Sequence, residues 1–281
     1  MDYNLAALLR KQGFQYKRNW GQNFLFDDGV LNSIVESAEL DPMEFVVEIG
    51  AGAGTLTNVL AQRGARVLAI EIDPRLIAVL EEVFSELDQI KVIRGNVLNM
   101  DIDETAEATG WQTPYIIIAN LPYSISTPLL TQLFEKANKW NIGVITIQKE
   151  VAAKLVAKPG DEYYCPLTLW REIFGEAELL FDIPASVFVP EPAVSSVVVR
   201  LARRKLAQDV NLPLLKMVIS TAFGQRRKTI TNALRGLAPL SNNCDEVLKL
   251  AGIDPRQRGE TVALEEYIAL TNEIAKHLVR K

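Results

Sequence analysis

The sequence predicts an α/β fold, a parallel sheet with helices on both faces, followed by a small all-helical C-terminal domain. Three observations carry this. Short, predominantly apolar runs alternate with helical segments between residues 45 and 148, as in a parallel sheet covered on both sides. A glycine-rich turn joins the first run to the first helix. After residue 175 the rhythm changes, and from about Asn211 everything reads as helix.

The elements follow in order. Phe45–Ile49 is a strand, and a helix runs from about Thr55 to Gln62. Arg66–Glu71 is the second strand. Asp73 then serves as N-cap and Pro74 opens a helix that extends to about Leu87. Ile90–Ile93 and Tyr115–Ala119 are the next strands, the latter ending at Asn120. A helix over Pro128–Lys139 and a strand over Gly143–Gln148 follow. Glu176–Ile183 and Ser196–Leu201 have no helix between them and read as an antiparallel pair at one sheet edge. Pro213–Phe223, Arg227–Leu234, Cys244–Ala251 and Leu264–Leu278 are helices. The division is an N-terminal arm over 1–20, a main domain over 21–203 and a helical domain over 204–281.

Bulk properties narrow the class. The chain has 281 residues, 48% of them apolar, enough for a normal core. No apolar run approaches the ~18 residues of a membrane span, and the N-terminus lacks a signal-peptide pattern. The two cysteines, Cys165 and Cys244, have no metal-ligand spacing and read as small buried apolar residues. A cytoplasmic protein without membrane association is expected. No exposed apolar stripe stands out, so a monomer is expected. The single histidine, His277, lies close to the end of the chain. Histidine general-base chemistry and histidine metal sites are therefore set aside, and no metal is expected.

The net charge of −5 conceals an asymmetry. Residues 1–199 carry 15 Lys and Arg against 27 Asp and Glu, a balance of −12. Residues 200–281 carry 15 against 8, a balance of +7. Such a distribution points to a polyanion-binding face. The N-terminal arm adds Arg10, Lys11, Lys17 and Arg18 interleaved with Phe14, Tyr16 and Trp20.

Val47-Glu48-Ile49-Gly50-Ala51-Gly52-Ala53-Gly54 stands where strand becomes helix. Glycines there permit unusual backbone angles and close approach of a ligand. The helix N-terminus offers amides to an anionic group. Glu71 ends the next strand, about 20 residues on, where a carboxylate can accept from ribose hydroxyls. The pairing suits adenosine-containing cofactors. The Gly-x-Gly-x-Gly spacing, rather than Gly-x-Gly-x-x-Gly, tilts it from a dinucleotide toward S-adenosylmethionine. Asn96, after the third strand, either reaches the adenine amine or belongs to an ordinary turn.

Asn120-Leu121-Pro122-Tyr123 is the most specific signal. It ends a strand, where open parallel sheets bind ligands. The lone pair of an exocyclic amine is delocalised into its ring and is a poor nucleophile. The Asn120 side-chain oxygen and the main-chain carbonyl of Leu121, before Pro122, can accept the amine hydrogens and favour pyramidal nitrogen. Pro122 has no N–H and stiffens the loop. Tyr123 offers a face to an unstacked base. Methyl transfer from a sulfonium needs mainly alignment, which fits the absence of a histidine base.

Five segments occur together and in order: Gly21-Gln22-Asn23-Phe24-Leu25, the glycine turn, Asn120-Leu121-Pro122-Tyr123, Phe188-x-Pro190-x-Pro192-x-Val194-x-Ser196 and Phe223-x-Gln225-Arg226-Arg227-Lys228. Over residues 19–270 the chain resembles the ribosomal small-subunit RNA adenine dimethyltransferases. The resemblance implies a Rossmann-like class I S-adenosylmethionine methyltransferase domain with a helical C-terminal domain. It implies N6,N6-dimethylation of two adjacent adenosines near the 3′ end of small-subunit rRNA, in a pre-30S or 30S particle, late in biogenesis. Asn23 and Leu25 would contact the methionine end of the cofactor, Gly50 and Gly52 would form the glycine turn, and Glu71 would hold the ribose. Asn120 would serve both cofactor and target amine, while Tyr123 and Phe188 flank the flipped adenine. Two positions depart from the family: Asn96 stands where Asp is common, and Cys165 where glycine is expected. The Asn96 oxygen can still accept from the adenine amine, without the charge.

Arg226, Arg227 and Lys228 are expected to open a helix and contact phosphates, an interaction that salt weakens. One alternative is the related large-subunit rRNA methyltransferase family that confers macrolide resistance. Gln148-Lys149-Glu150-Val151 and Gln225-Arg226-Arg227-Lys228 favour the small subunit instead. DNA adenine methylation fits less well, because Asp-Pro-Pro-Tyr is the commoner tetrapeptide there. A non-catalytic small-subunit assembly factor is the alternative of another class.

Overall fold

The computed structural model describes residues 22–204, 210–225, 227–237, 240 and 243–279. The N-terminal arm, Lys205 at the expected boundary and Arg226 lie outside the described residues.

The first unit opens with β1 (Phe24–Leu25) and α1 (Asp28–Glu36), whose N-cap Asp27 accepts from the Val30 amide. Then come β2 (Phe45–Ile49), α2 (Thr55–Gln62), β3 (Arg66–Glu71), α3 (Pro74–Phe84), β4 (Ile90–Arg94), α4 (Ile102–Glu107), β5 (Tyr115–Asn120), α5 (Ser126–Glu135) and β6 (Trp140–Gln148). Helices α6 (Lys149–Val156) and α7 (Pro166–Phe174) precede β7 (Gly175–Ile183), β8 (Phe188–Val189) and β9 (Ser196–Arg203). The remaining helices are α8 (Leu212–Phe223), α9 (Ile230–Leu234), α10 (Cys244–Leu250) and α11 (Leu264–Val279).

The main sheet has the order β4-β3-β2-β5-β6-β9-β7. Its first five strands are parallel, and β9 runs antiparallel to both β6 and β7. Every residue of β2 is buried, as expected of a strand with helices on both faces. From β2 the chain winds to β3 and β4 on one side and later returns to β5 and β6 on the other. This reversal opens a crevice at the carboxyl ends of β2 and β5, the usual ligand position in such sheets.

Several boundaries differ from expectation, for local reasons. Helix α5 begins two residues earlier than Pro128 and ends at Glu135. The Asp103 carboxylate accepts from the Asn138 and Lys139 amides at 2.6 and 3.2 Å, which draws that segment out of the helix. Helix α9 begins at Ile230, because Thr229 caps it by accepting from the Asn232 amide. Arg227 and Lys228 therefore occupy an exposed turn before the helix rather than its first turn. Helices α1, α4, α6 and α7 lie outside the elements expected from the sequence, although Asp27 and Asp101 cap the first two.

Two compact units emerge. One holds residues 22–152 and 175–204, and the other holds 153–174 and 210–279. Residues 153–174, which precede the boundary expected at 203, therefore belong with the C-terminal helices. In that second unit the Tyr164 and Tyr267 hydroxyls donate to the Val262 and Gly259 carbonyls, each at 2.9 Å.

Candidate active site

The crevice contains a cavity of about 300 Å³. Asn23, Leu25, Gly50, Gly52, Glu71, Asn96 and Asn120 all border it, together with Glu48 and Pro122. Four strand ends and the segment before α1 thus converge on one space.

The glycine turn shapes the floor. Gly50 and Gly52 adopt φ of 75° and 58°, the left-handed region where a side chain is strained. A Cβ on Gly52 would also stand 3.0 Å from the Phe24 ring. The Gly52 amide donates to Glu71 Oε2 at 2.8 Å, while the Ile72 and Asp73 amides donate to Oε1 at 2.8 and 2.9 Å. Glu71 is therefore fixed, with three of its roughly four acceptor positions filled. Burial raises its carboxyl above the usual range, against these three donors.

Glu48 is the residue that sequence reasoning missed. It is 1% exposed, and its Oε2 accepts from the Thr57 hydroxyl at 2.6 Å. Burial pushes its carboxyl up to about 8, with Thr57 opposing and Glu71 adding to the shift. The available signal was a lone acid in an otherwise apolar strand. Behind Glu71, Asp73 is opposed by burial, but hydrogen bonds from Arg75 and Gln22 hold its carboxyl at about 2.

The cavity wall carries Glu48 and Glu71 but no Lys or Arg among the described residues. A diphosphate would meet the Glu71 carboxylate without a compensating cation. A positively charged sulfonium donor with a ribose fits this donor set, so the residues present suit S-adenosylmethionine.

Asn120 ends β5, and its Nδ2 donates to the Asn23 carbonyl at 3.1 Å. This leaves Oδ1 as the acceptor. The Leu121 amide donates to the Thr146 carbonyl at 3.1 Å, and the Leu121 side chain is buried. Tyr123 is half-buried, and its hydroxyl lies 2.9 Å from Ser196 Oγ. Phe188 is 2% exposed and belongs to the hydrophobic core, paired with Leu25 of β1. Neither Tyr123 nor Phe188 borders the cavity. Asn96 is exposed, and its Oδ1 accepts from the Leu98 amide at 3.1 Å, capping a short turn. Arg227 and Lys228 belong to the second unit, away from this constellation in the chain. No cluster of His, Cys, Asp and Glu suited to a metal occurs among the described residues.

The family model described as ribosomal RNA adenine dimethylase matches residues 13–276. The ribosomal RNA small subunit methyltransferase A of Geobacillus sp. (strain WCH70) is 40% identical over 275 residues, covering 95% of this chain and 94% of that one. A dimethyladenosine transferase from Plasmodium falciparum shares the fold, with a TM-score of 0.72 and 24% identity over 90% of this chain and 98% of its own. The 23S rRNA methyltransferase ErmE gives a TM-score of 0.65 at 28% identity, covering 90% of this chain and all of its own. The chain belongs to the ribosomal RNA adenine dimethylase family.

Proposed function

We propose that this enzyme dimethylates N6 of two adjacent adenosines near the 3′ end of small-subunit rRNA, within a pre-30S or 30S particle and late in its biogenesis. It is an S-adenosylmethionine-dependent rRNA adenine methyltransferase. The observation that carries the amine chemistry is the Asn120 side chain, tied by its amide to Asn23 so that its oxygen remains an acceptor on the cavity border, while the small-subunit acceptor rests on the 40% identical relative. The donor, when bound, supplies an electrophilic methyl group. The chain's part is to hold the amine. Asn120 Oδ1 and the Leu121 carbonyl accept its hydrogens, so the nitrogen lone pair turns toward the methyl carbon. Asn23, Leu25, Gly50, Gly52, Glu71 and Asn96 hold the cofactor.

Tyr123 is the platform on which the flipped base lies. Phe188, whose ring is 2% exposed, is the second wall. Arg226, Arg227 and Lys228, in the helical C-terminal domain, contact rRNA phosphates. The enzyme acts as a cytoplasmic monomer without membrane association, and among the described residues no helix is long and apolar enough to cross a membrane. A large-subunit acceptor is less supported, because the small-subunit relative is 40% identical and the 23S enzyme 28%. A purely structural assembly role leaves the cavity and Asn120 unexplained. The test is incubation with labelled S-adenosylmethionine of small subunits lacking the modification and, in parallel, of large-subunit RNA, followed by mapping. Label on two adjacent adenosines is expected; label only on large-subunit RNA would overturn the reading.

A further inference from the structure

Ser196 has no role in the scheme above, yet the structure places it under the proposed platform. It is the first residue of β9 and is fully buried. It lies between two strands, paired with Gln148 on β6 and Ile183 on β7. A residue held on both sides by a sheet is a fixed point. Tyr123 is the opposite case, in the loop between β5 and α5. The two are 73 positions apart in sequence, yet their hydroxyls meet at 2.9 Å.

We infer that Ser196 is a positioning residue for methyl transfer, which fixes the plane of the Tyr123 ring by holding its hydroxyl. The inference rests on Tyr123 being the base platform. A tyrosine ring can turn about two side-chain torsions. Anchoring the far end of the ring removes most of that freedom. A base laid on a fixed plane keeps its amine aligned with Asn120 Oδ1, and misalignment costs rate rather than binding of the donor. Strand register puts Ser196, Val198, Thr146 and Asn120 on one face of the sheet, so the anchor and the amine acceptor stand on the same rigid surface.

The experiment compares Ser196→Ala, Ser196→Thr, Tyr123→Phe and Tyr123→Ala on unmodified small subunits, with cofactor affinity measured separately by calorimetry. Ser196→Ala should lower kcat by about three- to tenfold, the worth of one net hydrogen bond, with cofactor Kd unchanged. Ser196→Thr, which keeps the hydroxyl, should restore much of the rate. Tyr123→Phe breaks the same bond from the other side and reads it even if Ser196→Ala fails to fold. The double variant Ser196→Ala/Tyr123→Phe should be no slower than either single, because both remove one interaction. Additive losses, or full kcat in Ser196→Ala and Tyr123→Phe while Tyr123→Ala is inactive, would overturn the positioning role and spare the platform. Full activity of Tyr123→Ala would instead overturn the platform itself.

Discussion

The Asn120 side-chain amide donates to the Asn23 carbonyl at 3.1 Å, joining the end of β5 to the segment that precedes α1. One bond thus orients the proposed amine acceptor and secures a wall of the donor cavity. Asn120→Asp keeps the shape but places a carboxylate oxygen against that carbonyl. Methyl transfer to unmodified subunits should fall about a hundredfold or more, the usual cost of losing an oriented polar group at a reacting centre. The circular dichroism melt should stay cooperative. A variant with near-native kcat would show that the orientation is not needed.

Glu48 supplies a pH dependence. Its carboxyl titrates near 8 in the folded chain and near 4.5 when unfolded. The native state therefore holds a proton that the unfolded chain releases between these values, so the group's contribution to stability falls as pH rises through that window. It is flat below about 4.5 and above about 8. The slope is at most about 1.4 kcal/mol per pH unit. Glu48→Gln should flatten it, with urea midpoints from pH 5 to 9 as the measurement. Parallel curves for the two proteins would count against a proton on Glu48.

The Thr146 hydroxyl is fully buried and has no hydrogen-bond partner among the described residues. Such a group costs about 1–3 kcal/mol. Thr146→Val has nearly the same shape and should leave the thermal midpoint unchanged or raise it. A lower midpoint would reveal a partner for the hydroxyl.

Gly54 has φ of 83°, and a Cβ there would stand 2.8 Å from both Leu80 and Phe84 of α3. Gly54→Ala combines backbone strain with overpacking and should destabilise by about 1–3 kcal/mol. Denaturant unfolding reads this directly; an unchanged midpoint would mean that α3 gives way freely.

Arg227 and Lys228 stand exposed before α9. If both face phosphate, Arg227→Ala/Lys228→Ala should reduce the slope of log affinity against log salt by up to about two, at roughly one per contact. Cofactor binding should not change. An identical salt series for variant and parent would place the RNA elsewhere.

By itself the sequence determined the sheet and the family. Predominantly apolar strands, the glycine turn and Glu71 are local signals, since burial on both faces and positive φ select residue types position by position. The ends of α5 and α9 were less legible, because a distant carboxylate at Asp103 and the cap at Thr229 decide them. Only the tertiary structure decided how the site is held. Asn23 with Asn120, Gly52 with Glu71 and Tyr123 with Ser196 are pairs whose partners meet across strand crossovers. Glu48 gains its raised titration first from being enclosed, with the neighbouring Glu71 adding to it. Hydrogen bonds between residues far apart in sequence leave no periodicity or spacing to read. They follow from sheet order and register, which exist only once the chain has folded.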